Sequence, residues 1–137
     1  MRTPAARSQA AIGHREIRRL LGGGPLARPT ILEVGACDGV DTVNLLRVRP
    51  RAIVHCFEPD ERAAERWRGN VVSRRATLHR VAIGAEDGRT RFHPSGGQHP
   101  RSKQEIEGGW YYSGSIRRPR QHLESFPWVE FGEPIEV

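Results

Sequence analysis

The apolar positions divide the chain into segments of different period. Residues 1–7 show none. From Ser8, positions Ala11, Ile12, Ile17, Leu20 and Leu21 share one face of a predicted helix, which Gly22-Gly23-Gly24-Pro25 ends. Thr30 to Val34 is a short apolar run suited to a buried parallel strand. A loop, Gly35 to Val40, follows. Asp41 is placed to cap a helix with Val43, Leu45 and Leu46 on its apolar face, and Pro50 stops it. Ala52 to Phe57 reads as a second strand. Asp60 caps a second helix through about Arg68, with Gly69-Asn70 as its exit. Thr77 to Ile83 is a third strand, Gly84 to Gly88 a turn, and Arg89 to His93 a returning strand.

Strand, helix, strand, helix, strand implies an α/β fold with a parallel sheet and right-handed crossovers. After His93 the pattern dissolves. Residues 94–121, rich in Gly, Ser, Pro and Arg, are expected to form a long loop, with helix potential over Gln121 to Ser125 and a strand beginning at Pro134 to Val137. Residues 1–29 are thus a tail and helix, and residues 30–137 one α/β domain.

Composition narrows this little. The 137 residues suit one domain, and an apolar content of 36% supports only a modest core. The net charge of +6 invites a nucleic-acid reading. The distribution argues against it: Lys103 is the single lysine, and the arginines are scattered, with short pairs at Arg18-Arg19, Arg74-Arg75 and Arg117-Arg118. Cys37 and Cys56 make no disulfide framework, and no Cys/His spacing suits a metal. With no signal peptide and no apolar run approaching a membrane span, the expected setting is cytoplasmic and reducing.

The chemistry concentrates in the first loop. Strand, glycine loop and helix start form the nucleotide cradle of open α/β sheets, whose ligands lie beyond the carboxyl ends of the strands. The pattern Glu33-x-Gly35-x-x-x-Gly39 is neither G-x-G-x-x-G nor a P-loop. A pyrophosphate wants clustered N–H groups without an acid nearby, yet Glu33 precedes this turn and Asp38 lies within it. Those acids favour a cationic ligand without phosphate, which S-adenosylmethionine is. Gly35 lets the backbone approach the ligand, and Gly39 permits the turn into the helix. Glu58, at the end of the next strand, is placed to accept hydrogen bonds from ribose hydroxyls; an acid there also fits NAD, so the two features together make the choice. Cys37 and Cys56 read as small apolar packers. His55 and His79 read as structural, and no catalytic base is assigned. Trp110, Tyr111 and Tyr112 suit plain packing, stacking on a substrate, or a lid.

Three segments in this order, Ile31-Leu-Glu-Val-Gly-Ala-Cys-Asp-Gly39, Val54-His-Cys-Phe-Glu-Pro-Asp60 and Leu78-His-Arg-Val-Ala-Ile-Gly84 with Glu86-Asp-Gly88, resemble the FkbM-type methyltransferases; so does Ser113-Gly-Ser-Ile116. The resemblance covers residues 30–116. It implies a class I, Rossmann-like fold and methyl transfer from S-adenosylmethionine to a hydroxyl of a sugar or natural product. It also implies roles: Glu33, Gly35, Ala36 and Asp38 bordering the methionine part, with Asp41 and Thr42 completing that pocket, Glu58 holding the ribose, and Ala82 and Ile83 near the adenine. Cys37 stands where that family often has Asn. The family continues beyond the point where this chain stops, at Glu133-Pro-Ile-Glu-Val137. The expectation is therefore a fold represented by its first βαβαβ half and a long loop. Its alternative is a non-catalytic remnant that binds cofactor or a partner. An unpaired sheet edge would favour a homodimer.

Overall fold

The computed structural model describes residues 19–20, 28–100 and 109–137. Its elements are β1 (Thr30–Val34), α1 (Val40–Val48), β2 (Ile53–Phe57), α2 (Glu61–Asn70), β3 (Ala76–His79), β4 (Arg91–Phe92), β5 (Ser95–Gly97), α3 (Gln121–Ser125), β6 (Val129–Phe131) and β7 (Ile135–Glu136). The first three strands form a parallel sheet in the order β1-β2-β3. This is a mixed α/β architecture. The predicted N-terminal helix lies outside the described residues, except Arg19 and Leu20, which are helical.

Successive strand side chains alternate between faces, so the register decides which residues meet the helices. Ile31 pairs with Val54, Glu33 with Cys56, and Cys56 with Leu78. That row packs beneath α1 and α2 in a core of Ile31, Ala36, Leu46, Ala52, Val54, Cys56, Trp67 and Val71. The opposite row is open. Leu32 is 66% exposed, Val34 63% and Ile53 48%. On the open row His55 Nδ1 lies 3.0 Å from His79 Nε2, and the Phe57 ring stacks on His79. The apolar run over Thr30–Val34 is thus covered on one face only.

α2 begins as its sequence predicts. Asp60 is its N-cap, accepting the Arg62 backbone N–H at 3.0 Å. The Arg62 guanidinium grips the same carboxylate at 2.6 Å and donates to the Ser95 carbonyl at 2.7 Å, tying α2 to β5. The helix runs through Gly69 to Asn70, past the predicted exit.

Other expectations are corrected. Asp41 is not a cap. Gly39 occupies the N-cap of α1 in a left-handed conformation, with no side-chain cap, and Asp41 sits in the first turn, where a carboxylate suits the helix dipole. The third strand ends at His79, so Val81 to Ile83 leave the sheet. Within the predicted long loop, Ser95–Gly97 is a strand antiparallel to β6, and His93 bridges Ser115. Two adjacent glycines disguise that strand. Gly97, at φ +86°, packs so closely under the Trp128 carbonyl that a Cβ would overlap it. The expected strand at Pro134 to Val137 forms as β7 and pairs antiparallel with β4. No helix among the described residues is long and apolar enough to cross a membrane.

Candidate functional site

The loop after β1 reverses the chain through three left-handed residues: Gly35 at φ +79°, Cys37 at φ +50° and Gly39 at φ +83°. Its amides are consumed internally. Gly35 N and Ala36 N donate to the Phe57 carbonyl at 2.9 and 3.1 Å. Cys37 N donates to Glu58 Oε2 at 2.9 Å, Gly39 N to the Ala36 carbonyl at 3.0 Å, and Val40 N to Asp38 Oδ1 at 3.2 Å. Phosphate cradles work by leaving such N–H groups free. This loop spends five of them on its own fold.

Glu58 joins the two loops. Its Oε2 holds Cys37 N, and its Oε1 holds Asp60 N at 2.9 Å. Only 7% of the residue is exposed. Burial pushes the carboxyl above its ordinary pKa, and the two backbone N–H bonds oppose that rise.

Beyond the carboxyl ends of β1 and β2 lies a cleft of about 490 Å³, within the range of small-molecule sites. Gly35, Cys37 and Asp41 line it from the first loop and α1, Phe57 and Glu58 from the end of β2, and Ala82 and Ile83 from the segment that leaves β3. Tyr111, Tyr112 and Ser115 close it from the later part of the chain. Among the described residues the lining holds two carboxylates and no lysine, arginine or histidine. In a chain of net charge +6 that selection is pronounced.

Five residues singled out from the sequence therefore meet at the cleft: Gly35, Asp41, Glu58, Ala82 and Ile83. Asp38 lies at its margin, where its Oδ2 accepts the Tyr112 hydroxyl at 3.3 Å. Four others are not brought to it. Ala36 is in the core. Gly39 packs against α2, where a Cβ would overlap Val71 and come 2.8 Å from Trp67 Cδ1. Thr42 is fully buried; its hydroxyl donates to Glu33 Oε2 at 2.6 Å and accepts the Trp67 indole N–H at 3.0 Å. Glu33 also receives the Cys56 thiol at 3.4 Å. Burial raises the Glu33 carboxyl's pKa, against the Thr42 and Cys56 hydrogen bonds. Glu33 and Thr42 thus form a polar knot between sheet and helices, behind the cleft.

Both cysteines are free. Burial pushes the Cys37 thiol up to about 12, with neighbouring Asp38 adding to the rise, and Cys56 to about 11. Neither supplies thiolate at neutral pH, which fits the packing role. Among residues absent from the sequence-based set, Tyr111 and Tyr112 form much of the far wall. The adjacent aromatics were visible, but not which strand would hold them.

The chain is similar to the 2-O-methyltransferase NoeI of Sinorhizobium fredii (strain NBRC 101917 / NGR234), with 43% identity over 125 residues. These are 90% of this chain and 48% of that protein, so the chain spans about half the length of the curated relative it matches. No family model matches the chain, and no solved structure matches it.

Proposed function

We propose that the cleft binds S-adenosylmethionine and that the chain is the cofactor-binding part of an O-methyltransferase of the FkbM type, with a Rossmann-like fold, acting on a hydroxyl of a sugar or natural product. One observation carries this reading: among the described residues the cleft offers carboxylates without cationic side chains, beside a loop whose amides are already bonded. That chemistry suits a cationic ligand free of phosphate and disfavours a dinucleotide. The similarity to a 2-O-methyltransferase supports methyl transfer.

In this reading Asp41 faces the cationic methionine end. Glu58 accepts from the ribose with the second lone pairs of its oxygens, each of which takes one backbone N–H. Ala82 and Ile83 provide the apolar seat for the adenine. Bound there, S-adenosylmethionine would supply an electrophilic methyl group, and the chain's own contribution is orientation. The reading extends to residues 30–137 as the cofactor-binding domain and to a cytoplasmic setting, which the free thiols support. The edge of β1, unpaired among the described residues, and the apolar residues beside it support self-association.

Isothermal calorimetry with S-adenosylhomocysteine tests the site. Micromolar affinity, about −8 kcal/mol, is expected for the wild type. Asp41→Lys, at an exposed position, is expected to weaken it at least about tenfold while circular dichroism stays unchanged. NAD is the control and should not bind. Absence of heat at millimolar S-adenosylhomocysteine, or tighter binding of NAD, overturns the proposal.

A further inference from the structure

The far wall of the cleft does not end at the cleft. Tyr112 lines it, and its ring lies 4.8 Å from that of Trp110. Trp110 in turn meets Trp128 at 4.9 Å, edge to face, and His99 packs on both, 5.7 Å from Trp110 and 4.7 Å from Trp128. The row is not core. Tyr112 is 48% exposed, and His99, Trp110 and Trp128 are half-buried.

The row is firmly mounted. Trp110 N donates to the Gly97 carbonyl at 2.8 Å, Ser113 N to the buried Ser95 hydroxyl at 3.0 Å, and Trp110 Nε1 to the Ser113 hydroxyl at 2.9 Å. Tyr111, behind Tyr112, is buried under the Arg66 guanidinium, 5.0 Å from its ring. At the cleft end the Tyr112 hydroxyl lies 3.1 Å from that of Tyr111 and 3.3 Å from Asp38 Oδ2. An aromatic ledge therefore runs outward from the proposed cofactor cleft, with a polar point at the junction.

We propose that Trp110, Tyr112 and Trp128 form the acceptor-binding wall of this protein, and that the Tyr112 hydroxyl, set between Asp38 and Tyr111, hydrogen-bonds the hydroxyl presented to the cleft. The proposal rests on the methyltransferase reading above. The Trp110 and Trp128 planes are 87° apart, so these two make no slot into which a flat aromatic acceptor would slide. A saturated ring with an apolar C–H face and a rim of hydroxyls fits instead. Its face rests on one indole and its edge meets the other, and its rim reaches Asp38 and Tyr112. Trp110 and Trp128 then choose the acceptor, while Asp41 and Glu58, on the other side of the cleft, serve the cofactor.

The test uses the intact chain and its three indole N–H signals in ¹H–¹⁵N spectra, titrated with cellotetraose in the presence of S-adenosylhomocysteine. The Trp110 and Trp128 signals should move with saturation. Trp67, bonded to Thr42 in the core, is the internal control and should stay still. Trp110→Ala should weaken saccharide binding about threefold to tenfold, and Tyr112→Phe, which keeps the ring, about fivefold. Trp110→Ala, which lies outside the cleft lining, should bind S-adenosylhomocysteine as the wild type does. No movement of Trp110 and Trp128, equal affinity in Trp110→Ala, or a response to catechol but not to cellotetraose overturns the proposal. Loss of S-adenosylhomocysteine binding with a persisting saccharide response refutes the cofactor reading and leaves the saccharide wall standing.

Discussion

Thr42 is the place where a small change should cost most. Its hydroxyl is the hub of the knot behind the cleft, donating to Glu33 at 2.6 Å and accepting from Trp67 at 3.0 Å. Thr42→Val keeps the shape of a fully buried side chain and removes only that hub. A hydrogen bond to a carboxylate contributes about 1.5–3 kcal/mol, and an orphaned buried donor costs about 1–3 kcal/mol. Set against the transfer gain of a methyl group, about 0.8 kcal/mol, the net loss is about 3 kcal/mol at pH 7.5. Thr42→Ser, which keeps the hydroxyl and loses a methyl, should cost only about 1 kcal/mol. Urea denaturation of the three proteins at equal m-value measures both losses.

The pH dependence sharpens the test. Burial raises the Glu33 carboxyl above its ordinary 4.5, so the folded chain binds that proton more tightly than the unfolded chain does. Glu33 therefore costs stability above its folded pKa, and that cost is relieved as pH falls toward 4.5. Removing the Thr42 hydroxyl raises the folded value further. The Thr42→Val deficit should thus shrink between pH 7.5 and 4.5. Because Thr42 does not line the cleft, S-adenosylhomocysteine affinity should change less than about threefold, roughly 0.6 kcal/mol. A Thr42→Val loss equal to that of Thr42→Ser, or a deficit independent of pH, would refute the reasoning.

Three further predictions follow from the same geometry. Gly39→Ala should cost well over about 2 kcal/mol, because a Cβ meets Val71 and Trp67, whereas Gly35→Ala, equally left-handed but with nothing within 4 Å, should cost about 1 kcal/mol; thermal melts compare them. Cys37 and Cys56 should react with Ellman's reagent at pH 8 at least about 100-fold more slowly in the folded chain than in urea, since their thiols titrate near 12 and 11; equal rates would contradict the burial. Leu32→Lys, on the open sheet face, should leave stability within about 0.5 kcal/mol and reduce self-association in sedimentation; a large loss of stability would mean that face is already covered.

Much of the site was legible as pattern. The run Ile31 to Thr42, with its glycine spacing and its acids, marked a strand, a loop and a helix start, because backbone reversals demand glycine and buried strands demand apolar runs. Glu58 was legible for the same reason, as an acid set at a strand end. Less legible was the second half. Ser95–Gly97 has no apolar alternation, and its pairing with Val129–Phe131 joins segments more than thirty positions apart. No local signal encodes such a contact.

By itself, then, the sequence determined the α/β order and the loop after the first strand, since these depend on residue types at short spacing. Tertiary structure alone decided which acids line the cleft. Glu33 and Asp41 are equally acidic and eight positions apart, yet strand register turns Glu33 inward to Thr42 while the first turn of α1 leaves Asp41 on the cleft. It also decided that Tyr111 and Tyr112 complete the pocket, because their place is set by bonds to β5, a strand formed only through pairing with distant β6. Short-range pattern selects conformations; which side chains share a cavity is settled by long-range packing, where each contact depends on all the others.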